Sequence, residues 1–111
     1  MRFSVILTDK FKKEARRLIK KFPSLKHELI QLSSILEKEP EIGTSLGNDT
    51  YKIRLAIKSK GKGKSGGARV ITYVISPNKE VYLLTIYDKS EFDSIDDKII
   101  KVIIKTLHSG K

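Results

Sequence analysis

Cysteine is absent from all 111 residues, so neither disulfides nor thiol chemistry can contribute, and a reducing compartment is compatible with that absence. No apolar run approaches the roughly 20 residues of a membrane-spanning helix. The opening MRFSVILTDK has too short an apolar run for the core of a secretory signal, so a soluble, cytoplasmic protein without a membrane partner is expected. Histidine is scarce: His27 and His108 stand far apart with no carboxylate spacing around either, and neither a metal site nor a cofactor is expected. The most informative absence is that of acid. Residues 50–79 contain no Asp or Glu, while they carry Lys52, Arg54, Lys58, Lys60, Lys62, Lys64, Arg69 and Lys79. In a chain of formal net charge +10, this concentration of positive charge points to a polyanion, nucleic acid first.

The basic stretch is patterned, which separates it from a disordered tail. Tyr51, Ile53, Leu55 and Ile57 alternate with Lys52, Arg54, Ala56 and Lys58, the period of a strand with one apolar and one basic side. Residues 70–75 are apolar apart from Thr72, which suits a central strand covered on both faces. Between them lies SKGKGKSGG, whose glycines permit tight backbone geometry and close approach of a ligand. A rigid hairpin with a polycation at its tip is predicted.

The remainder reads as a frame for that hairpin. Residues 2–7 form a short strand, and Thr8 or Asp9 caps a helix with Phe11, Ala15, Leu18, Ile19 and Phe22 in one stripe. Pro23 breaks it and Ser24 caps a second helix, where Leu25, Leu29, Leu32 and Leu36 recur until Glu39-Pro40. Residues 41–49 are expected as a loop, 76–79 as a turn and 80–87 as a third consecutive strand. In that strand Val81, Leu83 and Thr85 alternate against Tyr82, Leu84 and Ile86. Ser94 or Asp96 starts a final helix with apolar positions at Ile95, Ile99, Val102, Ile103 and Leu107. The predicted order is β-α-α-β-β-β-α: one α+β domain over residues 1–111, with an N-terminal helical hairpin packed on a small, mainly antiparallel sheet.

That order, with three short motifs, resembles the RelE/ParE superfamily of type II toxins, in its RelE- and HigB-like branches. The motifs are Tyr51-Lys52-Ile53-Arg54-Leu55, Gly66-Gly67-Ala68-Arg69-Val70-Ile71-Thr72-Tyr73, and the run from Val81-Tyr82-Leu83-Leu84 through Tyr87-Asp88-Lys89-Ser90-Glu91. The resemblance spans nearly the whole chain. It implies a toxin neutralised by a cognate antitoxin, with metal-independent cleavage of mRNA on the translating ribosome. The ParE branch instead implies inhibition of DNA gyrase, and a catalytically inactive RNA- or ribosome-binding module is a third reading.

Metal-independent RNA cleavage needs an activated 2′-OH, a stabilised phosphate and a protonated leaving oxygen. The resemblance implies that Arg69 contacts the scissile phosphate, where its planar fork can grip two oxygens. Lys52 and Arg54 match a pair of basic positions. Such a pair either lowers a lysine's pKa to that of a base or simply holds RNA. Lys89 falls where the family carries a basic residue after the last strand, and can stabilise charge or donate a proton. Tyr87 can stack on a base, supply a phenol, or be a core aromatic. The tip lysines Lys58, Lys60, Lys62 and Lys64 are expected as contacts to ribosomal RNA or the mRNA backbone. Some relatives place a functional Tyr or His near the C-terminus; here Tyr87 fills that role, His108 folds back to fill it, or activity is reduced.

Overall fold

The computed structural model describes residues 2–61, 66–91 and 95–109. Five strands and three helices follow the order β1 (Ser4–Leu7), α1 (Asp9–Lys21), α2 (Leu25–Lys38), β2 (Thr44–Gly47), β3 (Thr50–Leu55), β4 (Ala68–Ile75), β5 (Glu80–Asp88) and α3 (Asp97–Ser109). They build one sheet in the order β1-β5-β4-β3-β2. The β1–β5 pair is parallel; β2–β3, β3–β4 and β4–β5 are antiparallel.

Thr8 caps α1, accepting from the Phe11 N–H at 3.2 Å while its hydroxyl donates to the Leu83 carbonyl at 2.9 Å. One threonine therefore fixes both the helix start and its position over β5. Phe11, Ala15 and Leu18 of α1 and Leu25, Leu32 and Leu36 of α2 bury against Ile53, Val70, Val81, Leu83 and Ile86. Each such leucine contributes about 1.5–3 kcal/mol of transfer free energy. A second, smaller core lies on the opposite face, where Ile100 of α3 meets Ile71, Leu84 and Tyr87.

Four local expectations change. The segment 41–49 holds strand β2, paired with β3 through Thr44↔Lys52 and Ser45↔Tyr51. Its four residues show no alternation of their own, and the backbone of β3 supplies the template. The legible signal was Asn48-Asp49, which adopt φ of 53° and 63° in the two-residue link. Ser24 does not cap α2 with its side chain; it bonds instead to Ser59 and Glu28. Along β5, Ile71 pairs with Thr85 but Thr72 with Leu83, so Leu84 is a bulge and the alternation slips by one residue. Val81, Leu83 and Ile86 then face the helical hairpin, while Tyr82, Leu84 and Tyr87 face α3. In α3 the inward stripe is Ile100, Ile103, Ile104 and Leu107, and Ile99 and Val102 are exposed. Apolar residues occupy more than one side of that helix, so two stripes were compatible with its sequence. Asp96 does start α3, accepting from the Lys98 N–H at 2.9 Å, and Ser94 lies outside the described residues.

Candidate active site

The period-2 reading of β3 places Lys52 and Arg54 on the α3 side of the sheet, opposite Tyr51, Ile53 and Leu55, which pack with the helical hairpin. The ladders carry that face across three strands. Arg54 stands opposite Arg69, and Arg69 opposite Tyr87; the next row is Lys52, Ile71 and Thr85. Directly opposed residues hold their Cβ atoms about 4.5–5.5 Å apart. Arg54, Arg69 and Tyr87 therefore form one transverse line, with Lys52 two residues along β3 from its first member. The α3 helix packs over Ile71, Tyr73 and Tyr87 on this face, so the Tyr87 end of the cationic line is covered.

Accessibility divides the line. Arg54 is exposed and Lys52 half-buried, and no carboxylate among the described residues forms an ion pair with either. Arg69 is only 4% exposed, and its guanidinium donates to the Ala68 carbonyl at 3.1 Å. Arg69 is thus buried while its cross-strand neighbour Arg54 is exposed. Tyr87 is 5% exposed. Burial pushes its phenol above the usual tyrosine value, and the Arg69 charge and the Ile95 backbone oppose that rise. At neutral pH the phenol is protonated, and its oxygen is buried. Lys89 is half-buried just beyond β5, and its N–H donates to the Gly67 carbonyl at 3.0 Å.

Gly67 allows the strands to close at this end: a Cβ there would lie 2.1 Å from the Leu55 carbonyl oxygen. The β3–β4 connection is tied down at its start by four further bonds, one of them from the Ser24 N–H to Ser59 Oγ at 3.2 Å. Glu28, buried on α2, accepts from the Lys58 N–H at 2.7 Å, while Ser24 and Ser59 pair through their hydroxyls at 2.8 Å and through Ser59 N–H to Ser24 Oγ at 2.9 Å. Lys58 remains exposed. With Lys52 and Arg54 it lines a cleft of about 760 Å³ between α2 and the outer edge of β3.

The four tip lysines do not act alike. Lys60 turns inward, pairing with Asp88 and lying over the Phe22 ring at 5.6 Å, so its ammonium is not presented to a polyanion. The aromatic ring and the buried carboxylate hold it, and neither was visible from the local run of lysines. Lys62 and Lys64 lie outside the described residues. His108 does fold back, but onto Tyr73: its Nε2 is 3.1 Å from the phenol oxygen and the rings meet edge-on at 5.9 Å. Tyr73 is four residues along β4 from Arg69, about 13 Å at the usual strand rise. His108 is therefore remote from the cationic line, and Tyr87 is the residue positioned beside it. No group of three or more His, Cys, Asp or Glu side chains lies together among the described residues.

No protein-family model matches the chain. Among solved structures, it is similar to an E. coli toxin RelE carrying two arginine-to-alanine substitutions, in the free state. The TM-score is 0.61 at 20% identity, over 84% of this chain and 90% of that one. The helical hairpin, the mixed five-stranded sheet and the C-terminal helix on its second face together constitute a RelE-like fold.

Proposed function

We propose that the protein is the toxin of a toxin–antitoxin pair and acts as a metal-independent endoribonuclease on mRNA in the translating ribosome, neutralised by a cognate antitoxin. The observation that carries this reading is the transverse line of Arg54, Arg69 and Tyr87, with Lys52 and Lys89 beside it, at one end of a RelE-like sheet. Arg54 and Lys52 are the cations open to a phosphodiester. Arg69 adds a buried positive charge beside Arg54 on the neighbouring strand, where low dielectric strengthens its pull on developing phosphate charge. Tyr87 is the proton donor to the leaving oxygen once RNA binding uncovers its buried hydroxyl, and Lys89 supports the charge that builds there. Lys52 either activates the 2′-OH or holds the RNA. Lys58, with Lys62 and Lys64, contacts RNA backbone. No cofactor takes part.

The role of the line is tested with purified protein, labelled mRNA and programmed ribosomes. Arg69→Ala and Arg54→Ala are each expected to lower the cleavage rate by about 100-fold or more, the scale of losing one preorganised charge donor. Circular dichroism should show both variants folded. Unchanged cleavage by the folded Arg69→Ala protein removes this line from the active site.

A further inference from the structure

The Lys60–Asp88 ion pair is unusual for its burial, with side chains 9% and 1% exposed. It lies on the helical-hairpin side of the sheet, directly behind the cationic line. Asp88 stands opposite Ala68, one step along the ladder from the Tyr87–Arg69 pair. Lys60 Nζ also approaches the Gly67 carbonyl at 3.5 Å and the Phe22 ring at the corner between α1 and α2. Asp88 Oδ1 accepts from Lys60, from the Ser90 N–H at 3.0 Å and from the Ser90 hydroxyl at 2.9 Å. Gly67 in turn accepts from the Lys89 N–H. One lysine therefore gathers the turn after β3, the entry to β4, the exit of β5 and the hairpin corner.

Stability is an incomplete account of this arrangement. Desolvating two charges is costly, and apolar residues of similar volume are often equally or more stabilising. Asp88 Oδ2 adds to that cost, being buried with no hydrogen-bond partner among the described residues. We infer that the Lys60–Asp88 pair is a positioning device, which fixes the end of β5 so that Tyr87 and Lys89, the chain neighbours of Asp88, stay aligned with Arg69 and Arg54. Lys60 and Asp88 act through those residues and do not touch RNA. The activity arm of the test rests on the ribonuclease reading; the geometric arm does not.

Asp88→Asn, Lys60→Gln and the apolar double variant Lys60→Met/Asp88→Leu are compared with wild type in single-turnover cleavage on programmed ribosomes and in amide hydrogen exchange. A misplacement of about 1 Å is enough for a 100-fold loss of rate. Asp88→Asn is expected to lose about that much in maximal rate, with half-saturation within about twofold of wild type, since the exposed cations are retained. The Lys89 and Ser90 amides should exchange about tenfold faster or more, while those of the β1–β5 ladder stay slow. The double variant should keep a wild-type melting temperature yet remain slow in cleavage, an outcome that a merely structural pair does not produce. A double variant that cleaves like wild type, or Asp88→Asn and Lys60→Gln proteins with unaltered rate and exchange, overturns the inference. If wild type cuts no mRNA, the ribonuclease reading fails and the exchange arm alone decides. Accelerated Lys89 and Ser90 amides then uphold the positioning role, and unaltered ones refute it.

Discussion

Tyr87 shows what a residue's surroundings add to its chemistry. Its burial raises the phenol's pKa, and neither the Arg69 charge nor the Ile95 backbone cancels that shift. A phenol held above its ordinary value of about 10 keeps its proton at physiological pH, so it can act as an acid and cannot serve as a resting base. Tyr87→Phe is therefore expected to slow cleavage by about 10²–10⁴-fold. The alkaline limb of the wild-type rate profile that Tyr87 controls should lie above pH ~10. A limb near neutrality that disappears in the Phe variant would contradict the assignment. The sides of β3 occupied by Lys52 and Arg54 were legible because a strand's period is two. The depth of Arg69 and the inward turn of Lys60 were not, because Tyr87, Phe22 and Asp88 come from segments distant in sequence.

At the scale of elements, the hairpin was legible as strand, connection and strand, but what holds the connection was not. Glu28 reads as an ordinary polar helix position, yet it is buried and accepts the Lys58 N–H. Glu28→Ala is expected to cost about 0.5–1.5 kcal/mol in denaturant unfolding, the usual net contribution of one intramolecular hydrogen bond. The end of β5 makes a second prediction. Burial alone raises the Asp88 carboxyl, but the Lys60 and Ser90 hydrogen bonds outweigh it and hold the carboxyl below its ordinary value. A depressed carboxyl stabilises the fold fully above the unfolded aspartate value of about 3.9, and that stability is lost as pH falls through the lower folded value. Asp88→Asn should remove that part of the acid dependence in a melting series taken below about pH 4. Strand β2 and the Leu84 bulge escaped the sequence for a shared reason: each depends on register against a neighbouring strand.

At the scale of the whole molecule, charge and fold are shared by proteins of different activity. The formal charge of +10 and the cleft lined by Lys52, Arg54 and Lys58 predict association with RNA that weakens steeply with salt. Replacing those three residues by alanine should reduce the slope of log affinity against log salt by about two to three. An unchanged slope places the RNA contacts elsewhere. The architecture itself was legible in outline, because two amphipathic helices, three strong strands and a last helix admit few packings. Their order carries the same fold as RelE at 20% identity. Similar folds support different activities, so chemistry has to be decided at the cationic line.

The most direct test of the proposed function is primer extension on a reporter mRNA in a purified translation system, with wild type beside Arg69→Ala. Cuts in phase with codons, present only while ribosomes translate and lost in the variant, are the predicted result. Intact mRNA under conditions where the protein still arrests growth would contradict the account and direct attention to gyrase supercoiling.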